Sequence, residues 1–213
     1  GQVVLVAGAI PGERVRARIE RVSRQTTWAT VVEVLDASPD RRDPICDPAC
    51  GGSAYAHVQY ERQRALKGEI IADAFRRIGK ITLDAPVSVA ASPERGYRLR
   101  ARLHLRDRRA GFFRENTHAL CEAGPTGQLL PETMAAVDAT IAALDRRIEE
   151  CDEFVVAENV AATERVLHVV PREGARLDDL RGRVACPAGV TGLTTGSAGR
   201  LVTLDGATSV TDT

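Results

Sequence analysis

Two cysteines, Cys46 and Cys50, stand three residues apart in the loop CDPACGGS, and a third, Cys121, lies in the turn HALCEAGPTG. Thiolates spaced this way can share one metal ion or cluster, for which four ligands are the rule, whether the metal is tetrahedral zinc or a four-iron cluster. Ser53 occupies the position where a second C-x-x-C cysteine would fall, and His57 is a possible substitute ligand a few residues on. Two unligated thiols are the alternative. Cys151 and Cys186 read as buried small apolar residues.

A second constellation is ionic. In YRLRARLHLR, Arg98, Arg100, Arg102, His104 and Arg106 alternate with Leu99, Ala101, Leu103 and Leu105. Period-two alternation predicts a strand with one apolar and one basic face. Side chains on that face repeat about every 7 Å at strand rise, close to the phosphate spacing of a nucleic-acid strand. Arg108, Arg109 and Arg114 extend the charge, and Phe112 and Phe113 could stack on an unpaired base. The alternative is a solvated face whose arginines pair with carboxylates. Arg14, Arg16 and Arg18 form a similar alternating run near the N-terminus. His168 reads as a satisfied interior residue, and no Ser–His–Asp order, G-x-G-x-x-G or phosphate-loop motif is present.

The 213 residues are 44% hydrophobic and 27% charged, with a net charge of zero, which places the chain among globular proteins. That balance conceals an asymmetry. Eight Arg face three acids between Pro93 and His118, whereas thirteen acids face five Arg between Leu120 and Leu180. A basic block beside an acidic one can present a polyanion-binding face. Of the 29 basic residues 27 are Arg, which base composition of the genome would also explain. No apolar run reaches the roughly 20 residues that span a bilayer, and GQVVLVAGAIPGERVR lacks the basic start of a signal peptide. The expectation is a cytoplasmic monomer with no membrane partner. Five cysteines, an odd number, argue against a disulfide scaffold.

The elements that must position these residues follow from patterning. Val3 to Ala7, the alternating Val15–Ala17–Ile19 and Trp28 to Leu35 read as strands, three of the five a small barrel needs. Ser38 to Gly52 holds three prolines and two glycines and reads as a linker. A helix is predicted from Ala54 to Ile78, with Tyr55, Val58, Leu66, Ile70, Ala74, Phe75 and Ile78 as its apolar stripe, Ser53 and Gly79 as its caps and Gly68 as its weak point. A second is predicted from Pro131 to Cys151, with Met134, Val137, Ile141, Leu144 and Ile148 inward. FVVAENV, RVLHVV and RLVTLDG complete the set as strands joined by Gly-rich turns.

With these residues in view, GAIPGERVRARI, the segment from EVLDASPDRRDPICDPACGGSAYAHVQYERQRALKGEII, RRIG, YRLRARLHL, GFFRENTHALC, LLP and ENVAATERVLHVV resemble the bacterial RNA uracil-C5 methyltransferases, nearest to the iron–sulfur subgroup acting on ribosomal RNA. The resemblance implies an α+β chain: a partial OB-like β-barrel (TRAM) over 1–42, a cysteine loop over 43–53, and an α/β central domain with a mainly antiparallel sheet over 54–213. It also implies that helix 54–79 packs on a catalytic domain absent from this chain. That domain would bind S-adenosylmethionine and supply a cysteine nucleophile and a carboxylate base, and none of the five cysteines here matches the nucleophile. The cluster ligands carry over to Cys46, Cys50 and Cys121, with Ser53 at the fourth position and a first spacing of three residues rather than the usual five. The RNA-facing residues carry over to Arg14, Arg16, Arg18, Arg98, Arg100, Arg102, Arg108, Arg109 and Phe112. The intact enzyme would add a thiolate to uracil C6, methylate C5 and abstract the C5 proton, on a ribosomal or transfer RNA stem-loop. The expected role of these 213 residues is RNA recognition without methyl transfer. A stand-alone RNA-binding module, or a structural metal or thiol protein, is the alternative.

Overall fold

A computed structural model describes residues 3–197 and 200–212, without the side chain of residue 197. The chain divides into two compact units, Gly1–Ser92 and Pro93–Thr213. The helix predicted after Ser53 thus groups with the residues before it.

The first unit begins with β1 (Val3–Ala7), β2 (Arg14–Val22) and β3 (Thr26–Asp36). These form a sheet in the order β1-β3-β2, with β1 parallel and β2 antiparallel to β3. Three strands with one parallel pair do not by themselves make the OB-like barrel that the resemblance implies. Nor is one face of the sheet fully packed: Leu5, Ile19, Val22 and Val32 are all more than half exposed.

Helix α1 runs from Tyr60 to Ala74 and continues as a wider π-type turn, Phe75–Gly79. It starts six residues later than its apolar spacing predicts. Residues 53–58 are drawn instead into tight turns, with Ala56 N donating to Ser53 O (2.9 Å) and Val58 N to Tyr55 O (2.9 Å). Val58 also bridges Arg41. The residue before the helix is therefore Gln59, not Ser53, and the stop is Lys80 in the left-handed region (φ 55°), not Gly79. Gly68 is buried because residues 81–92 return along the helix, and a Cβ there would lie 2.7 Å from the Val87 carbonyl oxygen. Ile10, Val58 and Leu66, with Tyr55 against them, form the unit's small core. Ile70, Phe75 and Ile78, expected in the apolar stripe, are exposed.

The second unit is a seven-stranded sheet. Its strands are β4 (Arg100–Arg106), β5 (Arg109–Phe113), β6 (Leu120–Glu122), β7 (Cys151–Glu158), β8 (Arg165–Pro171), β9 (Gly192–Ser197) and β10 (Arg200–Gly206). Their order is β10-β9-β8-β7-β4-β5-β6, and only the β8–β9 pair is parallel. This agrees with the mainly antiparallel α+β expectation. Leu103, Phe154, Leu167, Val169 and Leu193 are wholly buried. Each such side chain stabilises the fold by about 1.5–3 kcal/mol relative to exposure.

Helix α2 (Pro131–Leu144) has Pro at its first turn, where the missing N–H costs nothing. It buries Ala136, Val137, Thr140, Ile141 and Leu144 at helical spacing. The helix stops seven residues short of Cys151: residues 145–150 tighten into a 3-10 turn, and Cys151 opens β7.

Candidate nucleic-acid interface and cysteine loop

The basic strand forms as the alternation predicts, but one residue is misplaced. On β4, Ala101, Leu103 and Leu105 are buried while Arg100, Arg102 and Arg106 are exposed. Arg98 precedes the strand and turns inward. Its Nη1 donates to Gln128 Oε1 (2.6 Å), its Nε to Arg100 O (3.1 Å), and its guanidinium lies 5.0 Å from the Phe112 ring centroid. Phe112 is 6% exposed, so its ring is not an open stacking surface. This corrects its assignment as a base-stacking residue: β5 turns Phe112 toward the interior and Phe113 toward the opposite face.

The strand's other arginines meet the acidic block. Arg102 pairs with Glu153 of β7 (3.2 Å), Arg106 with Asp152 (3.8 Å) and Arg109 with Glu122 of β6 (3.2 Å). Arg100 has no ion pair among the described residues. Arg108 sits in the β4–β5 turn and donates to Asp145 O (2.8 Å). On the first sheet the pattern repeats: Arg14 pairs with Asp36 (2.9 Å), Arg16 with Glu33 (2.5 Å) and Arg18 with Glu20 (2.9 Å). The solvated, carboxylate-paired alternative thus describes much of the charge. Such exposed pairs are worth at most about 1 kcal/mol each, so the guanidinium groups can exchange a carboxylate for a phosphate at little cost.

An aromatic group at the end of this face escaped the sequence reading. His104 stacks on Phe113, with ring centroids 3.6 Å apart and planes 3° from parallel. His118 meets the same Phe113 edge-on at 5.3 Å, and the Arg106 guanidinium lies 5.7 Å from its centroid. His104 Nδ1 donates to Glu153 Oε1 (3.0 Å). Burial lowers the His104 pKa from its usual value, and the neighbouring Arg106 and Arg102 act in the same direction against the pull of Glu153. The geometry depends on a two-residue hairpin in which Asp107 and Arg108 both take positive φ, 50° and 60°. That turn is usually signalled by Asn-Gly or Asp-Gly, and Asp-Arg hides it.

In the first unit, the cysteine loop is held by ions and backbone. The Glu13 carboxylate is fully buried and accepts from Ile10 N (2.9 Å), Ser38 N (3.2 Å), Arg41 Nε (2.5 Å) and Arg41 Nη2 (2.6 Å). The Arg41 hydrogen bonds hold its pKa down to about 2. Arg41 also donates to Gly8 O (2.7 Å), while Arg42 N donates to His57 O (3.0 Å) and Gln59 N to Asp40 O (2.7 Å). Within the loop the Cys46 thiol donates to Ser53 Oγ (3.2 Å), with Ser53 buried and Cys50 buried beside it in sequence. His57 is 6% exposed, and neither ring nitrogen has a hydrogen-bond partner. Burial, then Arg41, lowers its pKa, which favours the neutral ring. Cys121 lies half-buried in β6.

These residues do not fit a four-iron cluster. Of these three cysteines only Cys46 is a free thiol, Cys50 and Cys121 being disulfide-bonded, where four thiolates are normally required, and the fourth position is a buried hydroxyl that accepts a hydrogen bond from Cys46. Among the described residues no three His, Cys, Asp or Glu side chains are grouped as metal ligands. The four-iron cluster expected from the resemblance is therefore not supported.

Comparison with known proteins places this geometry. The chain is 41% identical over 108 residues to the 23S rRNA (uracil(1939)-C(5))-methyltransferase RlmD of Methylococcus capsulatus, covering 50% of this chain and 24% of that protein. It is 37% identical over 138 residues to the RlmD of Halomonas elongata, covering 62% of this chain and 28% of that protein. Its relatives are named as 23S rRNA uracil-C5 methyltransferases or as uncharacterized RNA methyltransferases. An uncharacterized RNA methyltransferase of Corynebacterium efficiens matches over a longer stretch, 29% identical over 192 residues, covering 82% of this chain and 46% of that protein. The chain thus spans between a quarter and a half of the length of these relatives. No family model matches it. In structure it is similar to the Pyrococcus abyssi tRNA (uracil-54, C5)-methyltransferase, with a TM-score of 0.62 and 18% identity, covering 92% of this chain and 47% of that one. That likeness concerns the fold. No helix among the described residues is long and apolar enough to cross a membrane.

Proposed function

We propose that this chain is the RNA-recognition portion of a cytoplasmic, S-adenosylmethionine-dependent RNA uracil-C5 methyltransferase. The observation that carries the reading is the exposed face of β4, where Arg100 and Arg102 project beside the His104–Phe113–His118 group. Arginines two residues apart on a strand meet successive phosphates, and an aromatic edge gives an unpaired base a surface to stack on. In the first unit, Arg14, Arg16 and Arg18 on β2 are a separate set of proposed phosphate contacts. Phe113 takes the stacking role first assigned to Phe112. The relatives named above supply the substrate class, a structured ribosomal or transfer RNA. The uridine would be flipped out of its stack toward catalytic groups that these residues do not include.

S-adenosylmethionine, when bound, supplies the methyl group, and no residue here is assigned to hold it. Unit 2 is a mainly antiparallel sheet without a nucleotide-binding glycine loop after a strand. The contribution of these residues is to bind and orient RNA. The exposed Ile70, Phe75 and Ile78 of the α1 region are the surface we assign to packing against the remainder of the protein.

Replacing Arg100 and Arg102 together by Ala is expected to weaken RNA binding by a similar factor across sequences. It should also lower the slope of log affinity against log salt by about 1–2, since each phosphate contact releases counterions. A filter-binding series at several salt concentrations measures both. An unchanged affinity and slope would leave β4 as a solvated strand only. Incubation of the 213 residues with RNA and tritiated S-adenosylmethionine is expected to give no incorporation above background, and incorporation would refute the assignment of the chemistry elsewhere.

A further inference from the structure

The cysteine loop departs from the cluster site of the family it resembles, and the structure indicates what holds it instead. The Cys46 thiol donates to the buried Ser53 hydroxyl at 3.2 Å, and Cys50 and Cys121 are disulfide-bonded. A disulfide sulfur is not the thiolate that a metal or cluster needs. His57, the other soft donor nearby in sequence, is buried with both nitrogens unpartnered, yet belongs to no group of three ligands among the described residues.

The loop has a different organiser. The Glu13 carboxylate closes off its oxygens with four N–H donors, two of them from Arg41. Arg41 in turn reaches Gly8 O ahead of β2 and bridges Val58 through its backbone. Asp40, Arg41 and Arg42 are thereby tied on one side to the β1–β2 turn and on the other to residues 57–59, which lead into α1. This joins the strands before the loop to the helix after it. We propose that residues 40–59 form a metal-free tie in this protein, with the Glu13–Arg41 junction as its anchor and the Cys46–Ser53 pair as an ordinary hydrogen bond.

The test uses the full 213-residue chain, produced with iron and sulfide supplied and purified without oxygen. Iron, zinc and acid-labile sulfide are then measured, together with thermal unfolding. The expected result is that none of the three is present in stoichiometric amount. Cys46→Ser, which replaces the thiol donor by a hydroxyl donor, should shift the unfolding midpoint by less than about 2 °C, whereas Arg41→Met should lower it by about 8 °C. Arg41→Lys, which keeps the charge but loses the two-pronged contact, should fall between them. Stoichiometric iron with sulfide, or stoichiometric zinc, in the wild-type protein would overturn the proposal. So would a Cys46→Ser variant as destabilised as Arg41→Met. The metal analysis does not depend on any variant folding, and its outcome is separate from that of the RNA-binding series.

Discussion

Replacing Arg165 by Met is expected to destabilise the second unit by about 3–5 kcal/mol, the cost of leaving a buried charge without its partner. Arg165 and Glu158 side chains are 5% and 2% exposed and directly paired. Arg165 Nε donates to Glu158 Oε2 (2.6 Å) and Thr133 Oγ1 (3.2 Å), and Nη1 to Gly189 O (2.6 Å). Thr133 Oγ1 also donates to Glu158 Oε2 (2.5 Å). One guanidinium therefore joins β7, β8, the first turn of α2 and the approach to β9. With Met in its place, Glu158 retains only a hydroxyl donor among these groups, and the Gly189 carbonyl loses a charged one. Removing both charges, as in E158Q/R165M, should cost less than R165M alone, because no uncompensated ion then remains. Denaturant unfolding of the three proteins measures this. A single-variant loss below about 1 kcal/mol, or a double variant no better than the single, would mean that the pair is not the junction described.

The second large effect concerns a backbone contact. A Cβ on Gly111 would lie 2.0 Å from the Cys121 carbonyl oxygen and 2.8 Å from its carbon. Real Cβ atoms do not approach so closely, and here the obstacle is main chain, which cannot rotate away. Gly111→Ala should therefore force β6 off β5, along the register Gly111–Glu122, Phe112–Cys121 and Phe113–Leu120. We expect a loss of about 2–4 kcal/mol and rapid exchange of the amide hydrogens of residues 120–122. It should also weaken RNA binding, because the His104–Phe113–His118 group spans the same hairpin and the segment just before β6. Wild-type exchange rates across residues 109–122 would show that the strand tolerates the methyl group.

How far the sequence could be read depended on whether the signal was local. β1 and β10 fall on the residues that alternation and apolar runs predict, and β4 keeps its inward leucines and outward arginines. What escaped was set by distant partners. The start of α1 is delayed because Val58 pairs with Arg41, seventeen positions earlier, and helical periodicity does not register such a bridge. β9 read as a glycine-rich turn because its interior residues include threonines. Thr194 and Thr195 are buried all the same, their hydroxyls engaged with His168 Nδ1 (3.0 Å) and Val169 O (2.8 Å). Alternation continues through Arg98, but the buried Gln128 and Phe112, on two other segments, draw it inward. The basic face was legible; the acids that answer it were visible only as a block of charge. The aromatic group was not, since His104 and Phe113 meet across a hairpin whose turn residues give no warning.

The three-stranded sheet of the first unit has a consequence for how the molecule opens. Its strands are tied to each other but bury little: Val3, Val4, Leu5, Ile19, Val22, Val32 and Leu35 are all exposed, and β1 is an edge strand held by β3 alone. Separating β1 from β3 forfeits a ladder of hydrogen bonds and almost no apolar burial, so its free energy lies well below that of global unfolding. The Glu13–Arg41 junction fastens Gly8, the residue that follows β1, through its carbonyl. Opening of the edge strand from its Val3 end therefore stops at this fastening before it reaches the loop. The protein carries a labile fringe and a fixed hinge within the same forty residues, and a protease or a binding partner would encounter the fringe first.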